Sequence, residues 1–211
     1  MRYLNGSLNL YFFKMNDVCI IGNWIVGENT AKVFGIEKHF DVLPERSNIT
    51  LKEAAKCRLI FLCLPTPIDN DGKYQLKAIE ETLGALQSLR FGGVAINRST
   101  VIPGTAKHLQ GKYNIPIVAN PEFLTESSAE YDAKHPDFIV IGGDLPHYTE
   151  TVGALYEARF KGIDIFETDT ITAETIKIAL NAFFVSKVVF ANELYEICQR
   201  DKINYETVKT A

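Results

Sequence analysis

From Val18 onward, the chain alternates short, nearly continuous apolar segments with amphipathic ones. Each apolar segment is rich in valine or isoleucine and ends at turn residues, which is typical of strands buried on both faces of a parallel sheet. The predicted strands are Val18–Ile21, Leu59–Leu64, Val94–Ile96, Ile115–Val118 and Phe138–Ile141. The predicted helices are Glu28–Phe34, Leu51–Cys57, Leu76–Leu89, Thr105–Tyr113 and Tyr148–Phe160. This alternation predicts an α/β fold with a doubly wound parallel sheet, and such sheets bind ligands at the carboxyl ends of their strands.

One much longer helix is predicted near the end of the chain. Residues 172–200 contain neither glycine nor proline, and Thr172 is placed to cap their first turn. Apolar residues recur there at helical spacing and form a broad face, at Ile176, Leu180, Phe183, Phe184, Phe190, Leu194 and Ile197. A short second helix is predicted at Asn204–Lys209. Because little chain follows to cover the apolar face, we expect a partner subunit, a further domain or a truncated chain.

The composition excludes several classes of function. The 211 residues carry a net charge of −4, with acids and bases interspersed, so the chain offers no basic surface to nucleic acid. No apolar run approaches the roughly 18 residues of a membrane span. The four cysteines show no metal-site spacing, which favours buried thiols and no metal site. We therefore expect a cytoplasmic protein whose partners include neither nucleic acid nor a membrane.

The loop after the first predicted strand has the form of a phosphate-binding turn. Residues 22–27 read Gly-Asn-Trp-Ile-Val-Gly, which is G-x-G-x-x-G with Trp24 at the middle glycine position. In that motif an acidic residue roughly 20 positions further on binds ribose hydroxyls. Asp41 and Glu45 bracket this point, at 19 and 23 positions after Gly22. The loop predicts a dinucleotide site, although a plain strand-to-helix turn would show the same spacing.

Hydroxyl side chains follow the next two predicted strands. Thr66 lies between two prolines that force an extended exit from the sheet. Thr100 follows the third predicted strand, and Thr105 is placed to cap the helix after it. These threonines are expected at the edge of the sheet where the ligand would lie, or they serve only as turn and cap residues.

Two pairs of polar residues are spaced by four positions. Glu122 and Glu126 follow the fourth predicted strand, and one helical turn would place both carboxylates on a single face. Carboxylates at a strand end can serve as a general base or bind sugar hydroxyls. Lys177 and Asn181 share a face of the long helix beside its apolar stripe. A partly desolvated lysine there could polarise or deprotonate an alcohol, or it could simply extend to solvent.

Five segments together carry a resemblance to a known family. In order they read CLPTP, STVIPGT, NPEFLTESSA, HPDFIVIGG and TAETIKIALNAFFVSKVVFANELYEIC. From about Val18 to the last residue, the chain resembles the UDP-glucose/GDP-mannose 6-dehydrogenase family. The resemblance implies a Rossmann-like NAD-binding domain followed by the long helix of a truncated helical dimerisation domain. It implies an oxidoreductase that oxidises the C6 alcohol of a nucleotide sugar to a carboxylate in two NAD-dependent steps. Separately, the apolar residues Phe183, Phe184, Phe190 and Leu194 of the long helix predict a homodimer.

The resemblance also implies roles for particular residues. It places NAD contacts at Gly22, Gly27, Thr66, Thr100 and Glu126, beside Asp41 and Glu45 from the loop spacing. It places contacts with the nucleotide sugar at Glu122, Lys177 and Asn181. In that scheme Lys177 and Asn181 stabilise an oxyanion, while Glu126 and Thr100 position or activate a water molecule. No metal is implied.

The sequence departs from the family pattern in several places. Trp24 replaces the middle glycine, Thr125 and Phe138 stand where arginine is usual, and residues 27–59 form a shorter stretch than the family's. The family's G-F-G-G-x-C segment, which carries a nucleophilic cysteine, does not occur here. We therefore expect that this chain alone does not complete the four-electron oxidation. Two alternatives are a nucleotide-binding or dimerisation module without catalysis, and a two-electron 3-hydroxyacid-type dehydrogenase that uses Lys177 and Asn181.

The predicted organisation has three parts. Residues 1–14 form an N-terminal extension without the small-residue cleavage site of a signal peptide. Residues 15–170 form the NAD-binding domain, and residues 171–211 contain the long helix and the start of a central domain.

Overall fold

The computed structural model of the protein describes residues 15–211, so the predicted extension at residues 1–14 lies outside the described residues. Seven strands form one sheet: β1 (Val18–Ile21), β2 (Lys38–Phe40), β3 (Leu59–Leu62), β4 (Val94–Asn97), β5 (Ile117–Ala119), β6 (Phe138–Gly142) and β7 (Asp164–Thr168). The α-helices are α1 (Ile25–Phe34), α2 (Leu51–Ala54), α3 (Lys77–Ser88), α4 (Thr105–Tyr113), α5 (Ala129–Lys134), α6 (Pro146–Arg159), α7 (Thr170–Arg200) and α8 (Tyr205–Thr210).

The sheet has the order β2-β1-β3-β4-β5-β6-β7, and its first five strands are parallel. Strand β6 pairs with β5 in the antiparallel sense, through Ala119 and Gly142, and β7 is parallel to β6. The predicted doubly wound parallel sheet is therefore confirmed in its first five strands, and β6 and β7 run in the opposite direction. The connection from β5 to β6 contains a 3-10 turn and the six-residue helix α5, about 9 Å long, and it returns at the same edge of the sheet. Residues 120–137 thus stay at the carboxyl edge of β5.

Helices cover both faces of the sheet, as a doubly wound fold requires. Successive residues of β1 alternate between the faces: Cys19 and Ile21 belong to one apolar core, whereas Val18 and Ile20 belong to the other. The first core includes side chains of α3 and α4, and the second includes side chains of α6. Burial on both faces explains why the strands are apolar throughout. All four cysteines are unpaired and buried, as predicted.

Strand β2 forms one edge of the sheet and was not predicted. In the usual dinucleotide-binding sheet a further strand lies outside this one. Here the loop after β2 takes that place, because Asn48 accepts a hydrogen bond from His39 N with its Oδ1 at 3.0 Å and donates from its Nδ2 to Glu37 O at 2.6 Å. Asn48 N also donates to His39 O at 3.0 Å. Although the stretch between α1 and β3 is short, it therefore still provides hydrogen-bond partners for backbone groups at this edge of the sheet.

Helix α7 begins two residues before its predicted start. Its N-cap is Asp169, whose carboxylate accepts a hydrogen bond from Thr172 N, so the prediction that Thr172 is the cap is wrong. Its first turns are buried on the sheet, and the rest carries exposed apolar side chains, among them Phe183 and Phe190. The start of α8 at an Asn204 cap agrees with the prediction. Among the described residues, no helix is long and apolar enough to cross a bilayer.

Candidate functional site

The loop after β1 and the first turn of α1 leave no room for a side chain at two positions, Gly22 and Gly27. Gly22 has a positive φ of 92°, and a Cβ atom there would lie 2.3 Å from the carbonyl oxygen of Cys63. A Cβ atom on Gly27 would lie 2.0 Å from the carbonyl oxygen of Gly22. These glycines therefore allow the loop to fold tightly against β3 and against the first turn of α1. Helix α1 has no side-chain cap at its N-cap residue Trp24, which leaves its first backbone donors directed to the loop.

A cleft of about 750 Å³ opens at the carboxyl ends of β1, β3 and β4. Strand β2 lies on one side of β1, and β3 lies on the other side. The strand order therefore reverses at β1, and the cleft lies at this switch point of the sheet. Five of the predicted site residues line it, namely Gly22, Asp41, Thr66, Thr100 and Glu122. Gly27 lies beneath the loop, and Glu45 is exposed outside the cleft wall.

The carboxylate of Asp41 is held by the backbone at the end of β2. It accepts hydrogen bonds from Asn23 N at 2.8 Å and from Leu43 N at 3.0 Å. An ionised carboxylate has about four acceptor positions, so two remain for hydroxyl donors of a ligand. The sequence did not distinguish Asp41 from Glu45 as the acid of the ribose site. In the structure only Asp41 lines the cleft.

The residues of the cleft fit a dinucleotide. The glycine loop and the uncapped start of α1 suit a diphosphate, and Asp41 suits a ribose. Trp24 does not fill this space, because its ring lies over the guanidinium of Arg46, with Cζ 3.4 Å from the ring centroid. Sequence reasoning missed Arg46, since no local pattern marks its contact with Trp24.

Thr66 and Thr100 belong to two loops that are joined to each other. Thr66 Oγ1 donates to the carbonyl oxygen of Thr100 at 2.7 Å, and Leu64 N donates to Ser99 Oγ at 2.9 Å. The loops after β3 and β4 therefore form one wall of the cleft.

The predicted cap of α4 is wrong. Thr105 Oγ1 donates to the Ile102 carbonyl instead, and the carboxylate of Glu174 on α7 accepts from Gly104 N at 2.6 Å and Ala106 N at 2.7 Å. Burial raises the pKa of Glu174, and these amide donors oppose that rise. Glu174, which the sequence did not single out, fixes α7 to the loop that carries Thr100.

Glu122 and Lys177 form a buried ion pair between the β5–β6 connection and α7. Their Oε1 and Nζ atoms are 3.2 Å apart, with side-chain exposures of 13% and 9%. Glu122 also accepts a hydrogen bond from Leu124 N at 2.6 Å. Glu126 is exposed at the start of a 3-10 turn, so the expected helical turn through both glutamates is wrong. Asn181 lies one turn beyond Lys177 at an exposed position.

Arg98, at the end of β4, is a further residue that sequence reasoning missed. Its Nη1 donates to Asn120 Oδ1 at 2.8 Å and contacts the hydroxyl of Tyr156. Asn120 Nδ2 in turn donates to the Val140 carbonyl at 2.8 Å. This network joins β4, β5 and β6 where the sheet changes direction. Arg98 lines the cleft and also a neighbouring one of about 350 Å³. Its position directly after an apolar strand was the only available signal.

The sheet order and the loop geometry place the seven-stranded sheet and its helices in the Rossmann-like, dinucleotide-binding class. A model of the UDP-glucose/GDP-mannose dehydrogenase family, NAD binding domain, matches residues 43–160. The match covers more than half of the chain, and the chain therefore belongs to this family and carries its NAD-binding domain.

Individual relatives agree with this assignment. The chain is 35% identical over 166 residues to UDP-glucose 6-dehydrogenase YwqF of Bacillus subtilis, a region that makes up 74% of this chain and 37% of that protein. The chain thus spans well under half the length of this relative.

Solved structures show the same fold. A GDP-mannose dehydrogenase from Pseudomonas aeruginosa superposes with a TM-score of 0.80 at 22% identity, over 92% of this chain and 56% of that one. A UDP-glucose dehydrogenase from Pyrobaculum islandicum gives a TM-score of 0.81 at 24% identity, over 90% of this chain and 55% of that one.

Proposed function

We propose that this chain binds NAD in the cleft at the switch point and contributes to the oxidation of an alcohol of a nucleotide sugar. The observation that carries the proposal is the position of Asp41, held at the end of β2 beside the glycine loop. The proposed NAD contacts are Gly22, Gly27, Asp41, Thr66, Thr100 and Glu126. Glu45 is dropped from this set because it lies outside the cleft wall.

NAD, when bound, supplies the hydride acceptor. Lys177 is proposed to hold the proton nearest the reacting oxygen, because its ammonium is paired with the carboxylate of Glu122, which lines the same cleft. Glu174 is proposed to fix the position of Lys177 relative to Thr100, because its carboxylate accepts hydrogen bonds from Gly104 N and Ala106 N and so joins α7 to the loop that carries Thr100. Asn181 and Glu126 are proposed to complete the contacts with the sugar and with a water molecule. The proposed substrate is a UDP- or GDP-sugar, and the proposed reaction to which the chain contributes is oxidation of its C6 alcohol to a carboxylate.

The proposal is tested by calorimetric titration of the protein with NAD. We expect binding at micromolar affinity, and we expect Asp41→Asn to weaken it about tenfold because one hydroxyl acceptor is lost. Glu45→Gln is the matched control and should bind NAD as the wild type does. A wild-type protein that does not bind NAD would contradict the proposal and favour a module without catalysis. Equal losses in the two variants would contradict the role of Asp41.

The exposed face of α7 is proposed as a homodimer interface. Its apolar side chains include Phe183, Phe184, Val188 and Phe190, each more than half exposed. We expect light scattering to give the mass of a dimer at a protein concentration of about 10 µM, which is typical of moderately tight association. Phe190→Glu should shift the protein to a monomer, whereas Gln199→Glu on the same helix should not. A wild-type monomer at this concentration would contradict the proposal.

A further inference from the structure

Three segments of the chain are joined at the outer end of the cleft. Asn23, in the glycine loop, donates from its backbone N to Asp41 Oδ2 and from its Nδ2 to the carbonyl oxygen of Arg46, at 2.8 and 3.1 Å. The loop that follows β2 and closes the edge of the sheet is therefore tied to the glycine loop. Trp24 is the next residue of that glycine loop, and Arg46 lies opposite it.

Trp24 and Arg46 form a stacked pair on the wall of the cleft. The guanidinium carbon lies 3.4 Å from the centroid of the indole, and both side chains line the cleft. Within residues 16–211 no carboxylate lies at ion-pair distance from Arg46. The positive charge of Arg46 therefore lies against the face of an aromatic ring and in the lining of the cleft, where a ligand can reach it.

The backbone at Trp24 does not require glycine. Its φ is −111° and its ψ is −160°, an extended conformation that any residue adopts. Trp24 is 56% exposed, and its indole lies against the guanidinium of Arg46. The side chain therefore occupies the outer wall of the cleft, at the side of the phosphate-binding loop.

The position of this pair indicates which part of a dinucleotide it would meet. In a switch-point cleft the diphosphate lies at the start of the first helix, and the ribose next to it lies at the acid that ends the second strand. The base attached to that ribose must lie beyond Asp41, on the side of residues 42–46. Trp24 and Arg46 line that side.

We propose that Trp24 and Arg46 form a preassembled stacking wall for the adenine base, so that Trp24 strengthens NAD binding instead of obstructing it. This inference rests on the proposed NAD function. A purine gains affinity by stacking on a guanidinium plane or an aromatic ring. The indole contributes by holding the guanidinium flat before the ligand arrives, which lowers the entropy cost of binding.

The test is calorimetric titration of the full chain with NAD and with ADP-ribose, which is NAD without its nicotinamide base. We expect Trp24→Gly and Arg46→Ala each to weaken both ligands by about tenfold, the size of one lost base stack. Trp24→Phe should retain most of the affinity, because a phenyl ring still supports the guanidinium. Leu145→Gly is the matched control, since Leu145 is the exposed N-cap residue of α6. It should leave both affinities unchanged.

A second measurement needs no variant. Trp24 is the single tryptophan of the chain, so its fluorescence should change saturably with ADP-ribose and give the calorimetric affinity. Trp24→Gly binding NAD as tightly as the wild type, or more tightly, would overturn the inference while leaving the NAD proposal intact. A folded wild-type protein that binds neither ligand would overturn both. A tenfold loss confined to NAD, with ADP-ribose unaffected, would also overturn the inference.

Discussion

Gly27→Ala is expected to lower the free energy of unfolding by roughly 2–4 kcal/mol and to abolish NAD binding. The added methyl group would lie 2.0 Å from the carbonyl oxygen of Gly22. That neighbour is backbone and cannot rotate away, so either α1 moves from the loop or the loop opens. In both cases the backbone donors at the start of α1 lose their position against the diphosphate. Urea denaturation and calorimetric titration measure the two effects.

The matched control for this substitution is Gly111→Ala in α4. Gly111 is also helical, but a methyl group there would meet nothing within 4 Å. We expect this variant to be more stable by about 0.5–1 kcal/mol, because alanine loses less backbone entropy than glycine in a helix. Equal stabilities of the two variants would contradict the close approach of α1 to the loop.

The central strands could be predicted from the sequence because burial on both faces makes them apolar throughout. Strand β1 was predicted with its observed bounds, and β6 within one residue. The edge strands β2 and β7 were missed for the same physical reason. Neither is fully buried, and their sequences Lys-His-Phe and Asp-Ile-Phe-Glu-Thr carry charges that a central strand would exclude. The antiparallel direction of β6 could not be predicted either, because the apolar sequence of β6 resembles that of a parallel strand.

The candidate site was predictable where its residues follow strand ends. Gly22, Thr66 and Thr100 line one cleft because parallel strands bring their carboxyl ends together. Arg46 and Glu174 were not predictable, because each acts through a contact with a distant segment. The guanidinium of Arg46 stacks on Trp24 of the glycine loop, and Glu174 of α7 accepts a hydrogen bond from Gly104 at the start of α4.

The ion pair between Lys177 and Glu122 is the second place where a large effect is expected. Lys177→Met should lower the free energy of unfolding by about 3 kcal/mol, because it leaves the Glu122 carboxylate without a partner in a largely buried position. Glu122→Gln should cost less, since an amide can still accept the hydrogen bond from Leu124 N. Urea denaturation of both single variants and the double variant gives the coupling energy.

The double variant Lys177→Met/Glu122→Gln is expected to be nearly as stable as the wild type, because a buried ion pair gains little over a neutral pair of similar volume. Lys134→Met is the control, since Lys134 pairs with Glu130 at 2.7 Å on an exposed surface, where little stability should be lost. Additive costs for Lys177 and Glu122 would contradict the pairing. A stable double variant that no longer binds a nucleotide sugar would mean that the pair is kept for the ligand, because the fold itself does not need it.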